Sequence, residues 1–231
     1  MAHHDSCPLC SSRGISSFLE CTDHFLTGDN FNIWLCSDCG FRFTQDYPGE
    51  MSIGKYYESE DYISHSEKPR DLAGRIYNIV RKAMLSRKGR LTEKACGVRK
   101  GNLLDIGSGT GHFAATMRDR GWNVKCIEIN DRARGFSESH FGLDAVHPSA
   151  LKDLNTSGYD CITLWHVLEH FHNLGEYAGE ISRLLKPGGR CIIAVPNCDS
   201  YDAKNYGSFW AAWDVPRHLW HFNPDTLGFL F

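Results

Sequence analysis

The run Asn102-Leu-Leu-Asp-Ile-Gly-Ser-Gly-Thr-Gly-His-Phe113 constrains the fold more than any other stretch, because it joins a buried-strand signal to three glycines on alternate positions. Leu103, Leu104 and Ile106 read as a short strand covered on both faces, with Asp105 at its carboxyl end. Gly107, Gly109 and Gly111 then make a turn tight enough for the backbone to meet a ligand without intervening Cβ atoms. A helix starting between His112 and Ala114 aims its first amides, and the positive end of its dipole, at the same point. A dinucleotide loop spaces its glycines Gly-x-Gly-x-x-Gly. Here the third glycine arrives one residue early and His112 takes its place, which excludes the simple dinucleotide reading.

The chain beyond this loop keeps alternating strands with helices. A helix over 113–120 stops at Gly121, a residue suited to the left-handed turn that ends a helix. Trp122-Asn-Val-Lys-Cys-Ile127 is the second strand. Glu128 stands at its carboxyl end, about 20 residues past the glycines, where a carboxylate can accept hydrogen bonds from both hydroxyls of a ribose. A helix over 132–140, a short strand near 144–146 and the turn Pro148-Ser-Ala-Leu151 follow. Tyr159-Asp-Cys-Ile-Thr-Leu-Trp165 is the fourth strand, residues 174–185 a helix closing in Leu-Leu-Lys-Pro-Gly-Gly189, and residues 190–196 the fifth strand. Alternation of this kind predicts an α/β, doubly wound parallel sheet with ligands at the carboxyl ends of its strands.

The form Asp-x-Gly-x-Gly-x-Gly, Asp105 to Gly111, resembles motif I of the class I S-adenosylmethionine-dependent methyltransferases. The fourth strand with His166-Val-Leu-Glu-His170 resembles motif II and its loop in the ubiquinone-type O-methyltransferase branch. Asp214-Val-Pro-Arg-His-Leu-Trp-His-Phe-Asn-Pro224 resembles the substrate-side loop of that branch. The resemblance covers the chain from about Gly101 onward and implies a Rossmann-like fold holding S-adenosylmethionine. It assigns cofactor contacts to Asp105, Gly107, Ser108, Gly109, Gly111, Glu128 and Ile129, to Ala150 and Leu151 at the adenine, and to Trp165 at the methyl end. His166 and His218 are the candidate general bases, since an imidazole titrates near working pH. The implied reaction is O- or C-methylation of a small-molecule or glycan- or lipid-type acceptor. The family fold normally adds two further strands, and this chain ends at Asp225-Thr-Leu-Gly-Phe-Leu-Phe231, so a C-terminally truncated domain is expected.

Two Cys-x-x-Cys pairs, Cys7-Pro-Leu-Cys10 and Cys36-Ser-Asp-Cys39, flank strand-like residues around Phe31 to Leu35. They read as a zinc ribbon over 1–45, because Zn²⁺ favours four thiolates and one tight turn can supply two of them. So small a module has little core, and the metal would carry much of its stability. Cys21 and His24 fall outside a shell that four cysteines complete. The ten cysteines of the chain, with no apolar leader behind Met1, fit a reducing, cytoplasmic setting rather than a disulfide framework. Cys126, Cys161 and Cys191 lie in apolar runs and read as small buried hydrophobes.

Residues 46–100 form a connector and basic amphipathic helices, and residues 101–231 the cofactor domain. In the connector, Tyr62-Ile-Ser-His65 resembles a segment ahead of the catalytic domain in some zinc-containing sugar C-methyltransferases. Leu72, Ile76, Ile79, Val80, Ala83, Met84 and Leu91 recur at helical spacing and predict a packed face. The other face is basic, through Arg75, Arg81, Lys82, Arg87, Lys88, Arg90 and Lys94, and suits an anionic or carrier-bound acceptor. A formal net charge of -3 gives the whole molecule no pull toward nucleic acid. The aromatics of 197–231 are expected as packing or as an apolar substrate wall. His166, Glu169 and His170 can share a helix face, where some RNA-terminal and quinone O-methyltransferases hold a metal through Glu-x-x-Glu-His; here they read as loop-orienting residues. The alternative function is a non-catalytic binding protein, in which the zinc ribbon contacts nucleic acid or a protein and the cofactor fold is a scaffold.

Overall fold

The computed structural model describes residues 1–57 and 72–231. Tyr62-Ile-Ser-His65 lies outside the described residues. The chain divides into two compact units, one of Met1–Tyr62, Leu168–Ala178 and Val195–Phe231, the other of Ile63–Val167 and Gly179–Ala194.

The second unit is a five-stranded parallel sheet. It contains α1 (Leu72–Cys96), β4 (Asn102–Ile106), α2 (His112–Asp119), β5 (Asn123–Ile127), α3 (Asp131–Phe141), β6 (Asp144–Val146), β7 (Tyr159–Trp165) and β8 (Leu185–Ala194). The strand order is β6-β5-β4-β7-β8, so β4 is central and the chain reverses direction across the sheet beside it. Leu103, Leu104 and Ile106 are buried, as a strand covered on both faces requires. Leu103 packs with Phe113, Met117, Trp122 and Cys161, while Ala114, Ala115, Cys126 and Leu143 form a second cluster. Cys126 and Cys161 are buried and Cys191 is half-buried. The Lys-Pro-Gly-Gly turn is absorbed into β8, whose pairing with β7 shifts register between Tyr159 and Cys161.

Of the one or two helices expected over 71–95 there is one continuous helix, α1, and it packs by a different face. Ile76, Ile79, Val80, Met84 and Leu91 are exposed, whereas Leu85 and Cys96 join the Leu103 cluster. The inward stripe is Leu85, Gly89, Thr92 and Cys96, spaced at helical intervals. It is small enough for α1 to approach α2 closely: a Cβ on Gly89 would lie 3.4 Å from Met117 Sδ. Room for the Arg120 and Met117 side chains over Gly89, and not the largest apolar stripe, marks the contact face.

The first unit carries a four-stranded antiparallel sheet in the order β1-β2-β3-β9, from β1 (Ile15–Thr22), β2 (Asn30–Cys36), β3 (Arg42–Gln45) and β9 (Trp220–His221). Three of its strands fall within the 1–45 module, and two residues from the far end of the chain add the fourth. A core of Cys21, Phe31, Ile33, Tyr56, Cys198, Trp213 and Val215 lies in this unit. It also holds two short helices, α5 (Tyr201–Tyr206) and α6 (Pro224–Leu230), while α4 (Leu174–Leu184) belongs partly to each unit. Arg217 is buried and donates from Nη2 to Asp23 Oδ1 at 2.9 Å and from Nη1 to the Tyr56 carbonyl at 3.0 Å. Burial alone would push the Asp23 carboxyl up. The Arg217 guanidinium and the Thr27 N–H outweigh that and hold it below the usual carboxylate range.

The terminal aromatics divide. Trp213, Trp220 and Phe222 are buried in the first unit, whereas Tyr201, Tyr206 and Phe209 are exposed. Packing therefore accounts for the first three, which leaves them no surface for a substrate wall.

Candidate cofactor site

The glycine loop lies between the carboxyl end of β4 and α2, and each glycine answers a different steric demand. Gly107 has φ +69°, and a Cβ there would come within 2.3 Å of Val167 Cγ2. Gly111 has φ +81°, and its Cβ would lie 2.6 Å from Leu143 Cδ1. Both are held to glycine by the protein itself. Gly109, with φ +53°, would meet nothing within 4 Å, so its backbone faces open space of the kind a ligand uses. The loop is fixed from below, since the Gly107 and Ser108 N–H groups both donate to the Ile127 carbonyl, at 2.7 and 3.1 Å.

Glu128 completes the arrangement from β5. Its Oε2 accepts from the Gly109 N–H at 2.7 Å and its Oε1 from the Asn130 N–H at 2.9 Å, which locks a buried carboxylate against the loop. Each oxygen retains a lone pair, so the group can accept from a diol without giving up either amide. Arg134, donating from Nη1 to the Glu128 and Ile129 carbonyls, holds the strand end in place. Ile129 beside it is 67% exposed. Ala150 and Leu151 lie in a 3₁₀ turn over Pro148–Asp153; Ala150 is half-buried and Leu151 buried. Arg183 donates to the Leu151 and Leu154 carbonyls and so pins the end of that turn.

Asp105 lies beneath the loop, fully buried, and accepts from Thr163 Oγ1 at 2.6 Å. Burial raises its carboxyl to about 7, against the pull of the Thr163 hydroxyl and of Lys88. Trp165, two residues beyond Thr163 on β7 and therefore on the same strand face, packs edge-on to Phe113 with ring centroids 5.3 Å apart. Its Nε1 is buried and has no hydrogen-bond partner among the described residues, an acceptor-seeking atom of the sort a bound group satisfies. His166 is exposed, adopts φ +60°, and donates its backbone N–H to the Ala194 carbonyl. That bend turns the chain away from the sheet where β7 ends.

His218 belongs to the first unit. Its Nδ1 lies 2.8 Å from the Ala212 carbonyl, and since a carbonyl only accepts, Nδ1 carries the proton. Nε2 is then the basic nitrogen, 4.0 Å from Glu169 Oε1 and 3.8 Å from Asp214 Oδ2. His170 repeats the pattern, with Nδ1 3.0 Å from the Arg217 carbonyl, and burial lowers it to about 4. Glu169, His170 and His218 bring ligand atoms within 4.8 Å of one another. The third member of this cluster is thus His218, 48 positions along the chain, and His166 is not in it. Helical spacing pointed to His166, but the left-handed bend there takes it off the helix.

The four N-terminal cysteines also converge, their sulfurs all within 4.8 Å of one another. Cys7 Sγ to Cys39 Sγ and Cys10 Sγ to Cys36 Sγ both measure 3.6 Å. A tetrahedron of sulfurs around zinc, with Zn–S near 2.3 Å, has edges of about 3.8 Å. The spacing therefore fits a Zn(Cys)₄ centre and is far too long for disulfides. Cys21 and His24 are elsewhere: Cys21 is in the core, and His24 stacks on Phe209.

A five-stranded parallel sheet with this order, a glycine loop at its reversal point and an acidic residue ending the neighbouring strand together make a Rossmann-like nucleotide-binding fold of the kind class I methyltransferase structures share. The family model described as a methyltransferase domain matches residues 78–231, and the chain belongs to that family. Ubiquinone biosynthesis O-methyltransferase of Burkholderia vietnamiensis is 29% identical over 123 residues, covering 49% of this chain and 53% of that protein. The protein of the same description from Caulobacter vibrioides is 31% identical over 102 residues, or 41% of this chain and 40% of its own. This chain therefore spans about half the length, or less, of these curated relatives. A SAM-dependent methyltransferase from Archaeoglobus fulgidus superposes with a TM-score of 0.53 at 26% identity, covering 65% of this chain and 66% of that one. Among the described residues no helix is long and apolar enough to cross a membrane.

Proposed function

We propose that the chain binds S-adenosylmethionine on the 107–111 loop and transfers its methyl group to a hydroxyl of a small-molecule acceptor. The observation that supports this best is the Glu128 carboxylate, bonded to the loop at Gly109 and still able to accept from a ribose diol. When bound, the cofactor supplies an electrophilic methyl carbon on a sulfonium centre. Everything else is alignment and proton removal by the chain. Glu128 would hold the ribose and the backbone of Gly109 would approach the cofactor most closely. Ile129, Ala150 and Leu151 would border the adenine, and Trp165 the methionine end. His166, exposed at the end of β7, is the first candidate to take the acceptor's proton, and the basic Nε2 of His218 the second. The choice of a hydroxyl rests on the names of the ubiquinone-branch relatives, and glycan or lipid hydroxyls belong to the same class. The exposed cations of α1, including Arg75, Lys82, Arg87 and Arg90, favour an anionic or carrier-bound acceptor.

The test is incubation of the zinc-loaded chain with methyl-labelled S-adenosylmethionine and a fractionated cell extract. Label is expected in a small-molecule fraction as a base-stable ether. Salt-sensitive RNA binding with no labelled product in any fraction would support the scaffold reading instead.

We further propose that Cys7, Cys10, Cys36 and Cys39 hold one structural Zn²⁺. Metal analysis is expected to give one zinc per chain, released as the thiolates are modified. Cys39→Ser is expected to lose the metal and melt the cysteine-rich sheet, since structural zinc contributes on the order of 10 kcal/mol or more to such modules. Retention of that sheet's amide protection after zinc removal would contradict this.

A further inference from the structure

Ile76, Ile79, Val80, Met84 and Leu91 recur as a core stripe would, yet the fold leaves them outside, from 50% exposed at Met84 to 68% at Ile79. At about 3.6 residues per turn they fall on one arc of α1, on the reverse of the Leu85, Gly89, Thr92 and Cys96 side that packs inward. Single apolar side chains at a surface need no explanation, but five on one arc of a helix mark an interaction face. Over its first turns the arc is bare aliphatic surface. Further along, exposed Arg87 and Lys94 enter it beside Leu91, and exposed Arg75, Lys82 and Arg90 line its margin. Among the described residues none of these five cations is in an ion pair, and the one acid of the helix, Glu93, is held by Arg120 at 2.5 Å.

Charge and side-chain type decide what can cover this arc. The 25 residues of α1 carry seven Lys or Arg against that single acid, in a chain whose net charge is -3. A second copy fits in neither direction. Parallel helices would set cation on cation, and antiparallel ones would press Arg87 and Lys94 of one copy onto the aliphatic turns of the other, burying charge with no partner. Protein interfaces concentrate aromatic rings at their centres and lose Lys there, whereas none of the five exposed apolar side chains is aromatic and Lys82 and Lys94 stand beside them. Aliphatic residues bordered by Lys and Arg are what a helix lying in a lipid headgroup layer carries. We propose that this face of α1 docks the chain on an anionic lipid surface, with Ile76, Ile79, Val80 and Met84 entering the headgroup layer and Arg87, Arg90 and Lys94 meeting lipid phosphates. From Ile76 to Leu91 the helix offers about 22 Å of such contact. The long cationic side chains suit it, because their stems rest on apolar surface while their charged ends reach outward.

The inference does not rest on the function proposed above, and its test uses no cofactor. The zinc-loaded full chain is sedimented with vesicles of phosphatidylcholine alone or with phosphatidylglycerol added. Each Lys or Arg beside an anionic surface strengthens binding by about 5-fold, so the anionic vesicles are expected to bind at least about 100-fold more tightly. That preference should shrink as salt is raised. Ile79→Ser together with Met84→Ser is expected to weaken binding by about 10-fold or more, since less apolar area leaves water. The melting temperature should not change, because both side chains are at least half exposed. Ile79→Leu with Met84→Leu should keep the affinity, and Arg87→Gln with Arg90→Gln should lower it by about 25-fold. No retention on anionic vesicles, or retention that the double Ser variant leaves intact, overturns the proposal. So does a chain that self-associates and turns monomeric in the double Ser variant, which would give the face to a second copy. Failure on both vesicles alongside a stable complex with an acidic protein, lost in the same variant, would give it to that partner instead.

Discussion

Glu128→Ala is expected to weaken S-adenosylmethionine binding by at least about 100-fold, the largest loss of any single side-chain truncation at the site. Two hydroxyl groups bonded to one carboxylate contribute about 1.5–3 kcal/mol each as charge-assisted hydrogen bonds. The low end of their sum is already about two orders of magnitude in Kd. The loss should be steeper than a plain deletion because Glu128 also fastens Gly109 and Asn130 through their N–H groups. Alanine would release the loop along with the ligand. Glu128→Gln keeps the packing and one of the two backbone hydrogen bonds but sets its NH2 against the other N–H, so affinity and melting temperature should both fall, each by less than in Glu128→Ala. Calorimetric titration with thermal melting on each variant is the measurement. Unchanged affinity in Glu128→Ala would remove the basis for placing the ribose there.

The second large effect is a contrast between two glycines that the sequence presents as equivalent. Gly107→Ala combines a left-handed backbone with a Cβ forced to 2.3 Å from Val167 Cγ2. The conformational part costs about 1–2 kcal/mol and the overpacking about 1–3 kcal/mol. For a chain of this size the sum lowers the melting temperature by about 5–15 °C. Gly109→Ala carries the backbone cost alone, because nothing lies within 4 Å of the added methyl. Its melting temperature should fall by a few degrees at most, yet the methyl would enter the space where the cofactor's backbone contact is proposed, and binding should drop about 10-fold or more. If Gly109→Ala binds S-adenosylmethionine normally, the ligand does not approach the loop there.

The parallel sheet was legible because its signals are local. Three apolar residues at 103–106, alternate glycines, an acid after Ile127 and a helix stop at Gly121 each act within a few positions, and four of the five strands formed within a residue or two of expectation, β8 starting five residues early at Leu185. The cysteine geometry was legible for the same reason, since the Cys-x-x-Cys turn carries its own instruction. The contact face of α1 was not. Hydrophobic periodicity ranks residues by transfer energy, whereas α1 docks through Leu85, Gly89, Thr92 and Cys96, where Gly89 leaves room for the Arg120 and Met117 side chains. The pairing of β9 with β3 was also invisible. Two residues are too few to show alternation, and their partners lie about 180 positions away, as Arg42↔His221 and Phe43↔Trp220 show. Arg217 was hidden similarly. Its place in Asp-Val-Pro-Arg-His pointed to a substrate loop, but its partner Asp23 is buried near the other end of the chain. Its near partner Asp214, three positions back, was in view, and Asp23 was not.

That long pairing bears on how the molecule is made. Ribosomes deliver about 5–20 residues per second, so β3 waits about 10–35 s for the strand that covers its edge. During this interval the parallel sheet, whose neighbouring strands lie close in sequence, has all its parts outside the exit tunnel first. The cysteine-rich hairpin meanwhile exposes an open edge and the ring of Phe41, which Trp220 later stacks on and Phe222 packs against. The cysteine-rich sheet is thus among the last parts to reach its final packing, and a chaperone or an early metal ion would find its substrate there.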